Sequence, residues 1–123
     1  MLFKLIALSF IAFLSGCSSS CGNRIIDEVS SPNGMNIATI FERNCGATTS
    51  YVQAIIIRDR NSNFNGNNVD DFIFTMKGQE EVKVKWLGDN RLVVIRPEKT
   101  KDIYIKLSDW EDFKIDYTTP NYK

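Results

Sequence analysis

Beyond residue 20, apolar and polar positions mostly alternate with the period of two that belongs to strands rather than the 3.6 of a helix. The pattern is clearest on either side of Ser31-Pro32-Asn33-Gly34. Pro fits the first corner of a type I turn, Asn the second, and Gly the left-handed position after it. A β-hairpin closed by a three-residue loop with a bulge is therefore expected. Such a loop sets Ser31 opposite Met35. Val29 then faces Ile37, Ile26 faces Ile40, Ile25 faces Phe41, Arg24 faces Glu42, and Cys21 faces Cys45. Turn chemistry, apolar pairs, an ion pair and two thiols agree on one register, and a slip of one residue would turn every side chain to the wrong face.

Tyr51 to Arg58 carries the continuous run Ile55-Ile56-Ile57, which predicts a central strand buried on both faces. Asp59 to Asp71 is polar, dense in Asn and aperiodic, so it reads as a surface loop in which Phe64 is the large apolar residue. Phe72 to Met76 is a short strand. Val82, Val84 and Trp86 alternate with Lys83 and Lys85 in a half-buried pattern. Gly88-Asp89-Asn90 turns the chain into Leu92 to Ile95, Pro97 ends that strand, and Glu98 to Asp102 is a charged turn. Ile103, Ile105 and Leu107 mark the next strand. Trp110, Phe113 and Tyr117 have helical spacing, but Phe113, Ile115 and Tyr117 alternate, which favours a turn at Ser108 to Asp112 and a last strand. The expected class is all-β: a small antiparallel sandwich or partly open barrel of seven to eight short strands, preceded by a cleaved signal peptide.

The signal peptide is residues 1–16. Lys4 supplies its basic end, and Leu5 to Phe13 is an apolar stretch too short to span a hydrocarbon layer of about 30 Å. Leu14-Ser15-Gly16-Cys17 resembles the bacterial lipobox, which implies cleavage before Cys17 and acylation of that residue. Each buried CH₂ contributes about 0.8 kcal/mol, so two or more chains make a lasting membrane anchor. Residues 17–20 form the lipidated end and a short tether, and 21–123 a single β domain. The protein is expected to be exported and lipid-anchored in the cell membrane or outer membrane. Ser18 in place of Asp resembles the sorting preference for the outer membrane.

Charge and composition narrow the chemistry. Fifteen basic residues balance fifteen acidic ones, without the basic excess that phosphate neutralisation requires, so no nucleic-acid partner is expected. The absence of histidine removes the commonest neutral-pH base and the commonest zinc ligand. No cofactor or metal is expected. Exported location and opposed register point to a disulfide between Cys21 and Cys45 rather than a metal or redox pair, worth about 3 kcal/mol in the chain-entropy account.

Several groups could carry chemistry. Gly46 followed by Thr48, Thr49 and Ser50 places hydroxyls at the disulfide end of the hairpin as a possible ligand-facing loop, or else as residues that bond their own backbone. Asp59, Asn61, Asn63, Asn65 and Asp70 imitate the spacing of a calcium loop, but Phe64 stands where that loop needs Gly. Asp70-Asp71, Glu80-Glu81 and Glu111-Asp112 are adjacent acids that point to opposite faces of a strand, so they read as charged turns and leave no catalytic pair. Lys77, Lys83 and Lys85 read as a solvated basic face.

Cys21-Gly22-Asn23, Ser31-Pro32-Asn33-Gly34 and Arg43-Asn44-Cys45-Gly46-Ala47-Thr48-Thr49 together resemble the signature of a family of small, uncharacterised, exported bacterial proteins. In that family, Asn33 and Asn44 correspond to acids. The resemblance implies the disulfide and the exported address and transfers no catalytic residue. The functional expectation is a non-enzymatic, membrane-anchored envelope lipoprotein that binds an envelope protein. The alternative is an inhibitor or immunity protein against a cell-envelope enzyme or toxin, with a carboxylate-dependent hydrolase third.

Overall fold

The computed structural model describes residues 21–46, 50–99 and 102–120. The chain is all-β among these residues, with nine strands in two sheets that do not close into a barrel. They are β1 (Gly22–Ser30), β2 (Asn36–Asn44), β3 (Val52–Asp59), β4 (Phe72–Lys77), β5 (Lys83–Gly88), β6 (Arg91–Ile95), β7 (Ile103–Lys106), β8 (Asp109–Trp110) and β9 (Phe113–Thr118). The first sheet runs β1-β2-β3-β4-β7 and the second β5-β6-β9-β8. Between them Ala38, Ile40, Ile55, Ile57, Phe74 and Met76 of the first sheet meet Leu92, Val94 and Ile115 of the second.

The hairpin forms as expected, with one correction to its register. Gly34 takes φ 72° and donates its N–H to Ser31 O at 2.8 Å, the turn that Pro-Asn-Gly favours. The strands first pair at Ser30 and Ile37, because the Ser31 hydroxyl accepts the Asn36 N–H at 3.1 Å while the Ser31 N–H donates to Asn36 O. Met35 therefore lies inside the loop rather than opposite Ser31. Near the turn Val29 faces Ala38 and Asp27 faces Ile40, one position away from the expected partners. A bulge at Ile26 takes up the surplus, and from Ile25 downward the expected pairs hold: Ile25 with Phe41, Arg24 with Glu42.

β3 is the central strand of its sheet and is buried from Gln53 to Ile57. Its outer face is not left to solvent. Phe41, Ala54, Ile56 and Phe72 form a second apolar cluster, joined by Ile105 of β7 and by Phe64 from the 59–71 segment. Phe41 makes edge contacts with Phe64 and Phe72, ring centroids 5.0 and 5.4 Å apart. The segment expected as a plain surface loop is thus a cover over one face of the sheet. Its upper end is held by Arg58, which donates to Ser62 O at 2.7 Å and to the Glu28 carboxylate at 2.5 Å. Thr39, fully buried, donates to the same carboxylate at 2.9 Å. The Arg58 hydrogen bond holds the Glu28 carboxyl below its ordinary pKa.

The second sheet is mixed. β6 and β9 run parallel, which departs from the expected all-antiparallel arrangement. Parallel neighbours need a crossover, and residues 96–112 supply one by passing through β7 in the other sheet before returning. The expected turn at Ser108 to Asp112 contains the two-residue β8, then bends at Glu111, whose φ is +51°. The side chains of Trp86 and Tyr117 tie the sheets. On one side the Trp86 indole N–H donates to Val29 O at 2.8 Å. On the other, the Tyr117 hydroxyl donates to Leu107 O at 2.6 Å and lies 3.3 Å from Ile73 O.

Two outcomes follow from this packing. Phe64→Ala should destabilise the fold by about 2 kcal/mol and speed proteolysis within 59–71, because it removes the apolar anchor of the cover. Asn63→Ala, at an exposed neighbour, should do neither. Burial pushes the Tyr117 phenol up to about 12. An unfolded tyrosine titrates near 10, so between these values the unfolded chain binds fewer protons, and stability falls as pH rises through the window. Tyr117→Phe should cost about 1 kcal/mol at neutral pH and flatten the alkaline limb of a stability–pH curve measured by denaturant unfolding.

Candidate functional site

Cys21, Cys45 and Gly46 lie at one end of the sandwich, where β1 begins and β2 ends. The last pairs before this end are Asn23 with Arg43 and Gly22 with Asn44, so the next residues outward, Cys21 and Cys45, are opposed. Their Cα atoms lie 4.1 Å apart and a disulfide joins them. The expected pairing is present although the loop is one residue longer than expected, since the Ile26 bulge restores the register before the cysteines are reached. Cys21 is half-buried and Cys45 exposed.

Arg43 is the hub of this end. It lies on the same face of β2 as Phe41, so its guanidinium enters the sheet's outer cluster and stacks 5.2 Å from the centroid of Phe72. It donates to Gly66 O in the cover segment and, at 3.0 Å, to Cys21 Sγ. Among the described residues it forms no ion pair, and burial lowers its pKa. Asn23 donates to Asn67 Oδ1 at 3.0 Å and packs on Gly66 so closely that a Cβ there would stand 2.6 Å from Asn23 Cγ. A side chain at position 66 would have to displace Asn23. One assembly thus links the disulfide, the end of the hairpin and the cover.

On the opposite face of the hairpin, Glu42 is mostly buried and accepts from Arg24 at 3.3 Å and Gln79 at 3.1 Å. Gln53 donates to Gly78 O and Glu80 O, closing the β4–β5 connection over the same end. Gly46 has φ +142°, a value that favours glycine, and its N–H is capped by Asn44 Oδ1 at 3.1 Å. Ser50 is exposed. Cys17, Thr48 and Thr49 lie outside the described residues.

Other sequence candidates are dispersed. Asp59 Oδ1 accepts the Asn61 N–H and Asn65 Oδ1 the Asn67 N–H, so these oxygens close local turns. Among the described residues no three Cys, Asp or Glu converge as metal ligands. Asp70, Glu80, Glu81, Glu111 and Asp112 are exposed, and Lys83 pairs with Glu81 at 3.6 Å. Sequence reasoning missed Arg43. Its signal was a cation two residues from Phe41 on a strand, a position whose side chain must share the apolar face. The chain matches no family model, no curated protein and no solved structure.

Cys21→Ala and Cys45→Ala should each lower stability by about 3 kcal/mol, and the double variant by no more than either single one, because all three open the same loop. Urea unfolding with and without reductant reads this directly. A clear sum of the two single effects would show the cysteines acting independently.

Proposed function

We propose that the protein is a non-enzymatic envelope lipoprotein, anchored through an acylated Cys17, that binds an envelope protein close to the membrane. One observation carries the reading: the residue that follows the Ser18-Ser19-Ser20 tether, Cys21, is bonded into one end of the sandwich. A tether this short spans about 3.5 Å per residue at most. The disulfide end therefore sits against the lipid, and the opposite end projects away from it. At that far end the Ser31–Met35 loop meets the β5–β6 turn, where Asp89 accepts the Asn33 N–H at 2.8 Å. Met35 and Leu87 stand exposed there, each at 56 %. Exposed apolar side chains on a buttressed pair of turns suit a protein partner. The lack of any histidine supports a binding role over catalysis.

A second reading, an inhibitor or immunity protein against a cell-envelope enzyme or toxin, draws on the same projecting end. Tight turns carrying apolar side chains are the shape that enters another protein's cleft. The two readings differ in the partner they would bring down.

The test begins with the anchor. Cys17→Ser should leave the chain unprocessed or shed into the medium, whereas the parent should enter the detergent phase on temperature-induced partitioning. A Cys17→Ser protein with its signal removed that still pellets with membranes would contradict the anchor. With a photo-crosslinker at Met35, the lipidated protein should capture one dominant envelope protein from native membranes. Capture of an envelope hydrolase or toxin would select the inhibitor reading, and the same capture from Ser50 but not Met35 would move the binding surface to the disulfide end.

A further inference from the structure

The disulfide end has a chemistry of its own, independent of any binding partner. We propose that the Cys21–Cys45 bond is a site of directed thiol–disulfide exchange, in which an incoming thiolate attacks Cys45 and Cys21 departs as a thiolate held by Arg43. Three features support this direction. Cys45 is exposed and Cys21 half-buried, which favours attack at Cys45. The Arg43 guanidinium donates to Cys21 Sγ at 3.0 Å and not to the other sulfur. That cation has no carboxylate partner among the described residues, so its charge is available to a developing anion. A sulfur beside a cation leaves more readily, because exchange speeds up as the pKa of the leaving thiol falls.

The electron count closes with a thiol reductant. In the first step a thiolate forms a new S–S bond to Cys45, the Cys21–Cys45 bond breaks, and its electron pair stays on Cys21. In the second, another thiolate attacks the reductant's sulfur in the mixed disulfide and expels Cys45, which takes a proton from water. The reductant ends as a disulfide, oxidised by two electrons, and both cysteines end reduced. Run backwards, the same steps let the protein oxidise an incoming dithiol.

The experiment uses the full chain carrying Cys17→Ser, so that only these two cysteines react. It is exposed briefly to reduced glutathione, quenched in acid and mapped by fragmentation mass spectrometry. The glutathione adduct should sit on Cys45 in at least about tenfold excess over Cys21. An even split, or an excess on Cys21, overturns the proposal. The single-thiol variant Cys45→Ser, followed by thiolate absorbance, should show Cys21 titrating at least about one unit below the 8.5 of a free cysteine. A value at or above 8.5 also overturns it. Arg43→Lys should keep the adduct preference and Arg43→Gln should lose it, an outcome that a purely structural role of the arginine would not produce. Should either substitution prevent folding, the trapping result on the otherwise unaltered chain decides alone.

Discussion

A hairpin tied by a turn at one end and a disulfide at the other is a closed ring, and a residue added to one arm must be absorbed on the other. That constraint runs through this structure. Ser31 uses its hydroxyl to hold the Asn36 N–H, which places Met35 in the loop and shifts the upper pairs by one. Without compensation, Cys21 would meet the wrong residue and β1 would present its other face. The bulge at Ile26 supplies the missing step, and Arg24 returns to Glu42 and Cys21 to Cys45. The bulge has a second consequence. Ile25 and Ile26 are left 39 % and 44 % exposed on the edge strand, where an irregular ladder is a poor template for another chain to pair with.

The ring also positions the rest of the first sheet. Because β2 is held in register, Phe41 and Arg43 point to the outer face, where β3 and β4 add Ala54, Ile56 and Phe72. A sheet with two apolar faces needs two covers. The second sheet is one, and the 59–71 segment, pinned through Phe64, Gly66 and Arg58, is the other. Arg43 belongs to both the ring and the cover, so the state of the disulfide and the seating of that segment share one side chain.

Legibility in the sequence followed the range of the interaction. The Pro32-Asn33-Gly34 turn, the alternation of Val82 to Trp86 and the end of β6 before Pro97 are local, and each stands where alternation and turn chemistry put it. The disulfide was legible because both cysteines lie on one hairpin. The bulge was not, since Ile25-Ile26 looks the same whether its two residues alternate or one is surplus. Phe64 lay in a polar run that resembled an uncommitted loop, and only the exposed aromatic face of the sheet gives it a destination. The parallel pairing of β6 with β9 is set by how the chain returns from β7, a choice between partners far apart in sequence that alternation cannot encode. Cys17, Thr48 and Thr49 lie outside the described residues, so the anchor and most of the Gly46 to Ser50 loop rest on sequence alone.

The central claim is that the hairpin has two registers joined at Ile26, and cross-strand proton contacts measured by NMR on the oxidised protein test it most directly. The account predicts contacts between Arg24 and Glu42 and between Ile25 and Phe41 below the bulge, and between Glu28 and Thr39 and between Val29 and Ala38 above it. One unbroken register, with Val29 facing Ile37 and Ile26 facing Ile40, would contradict it.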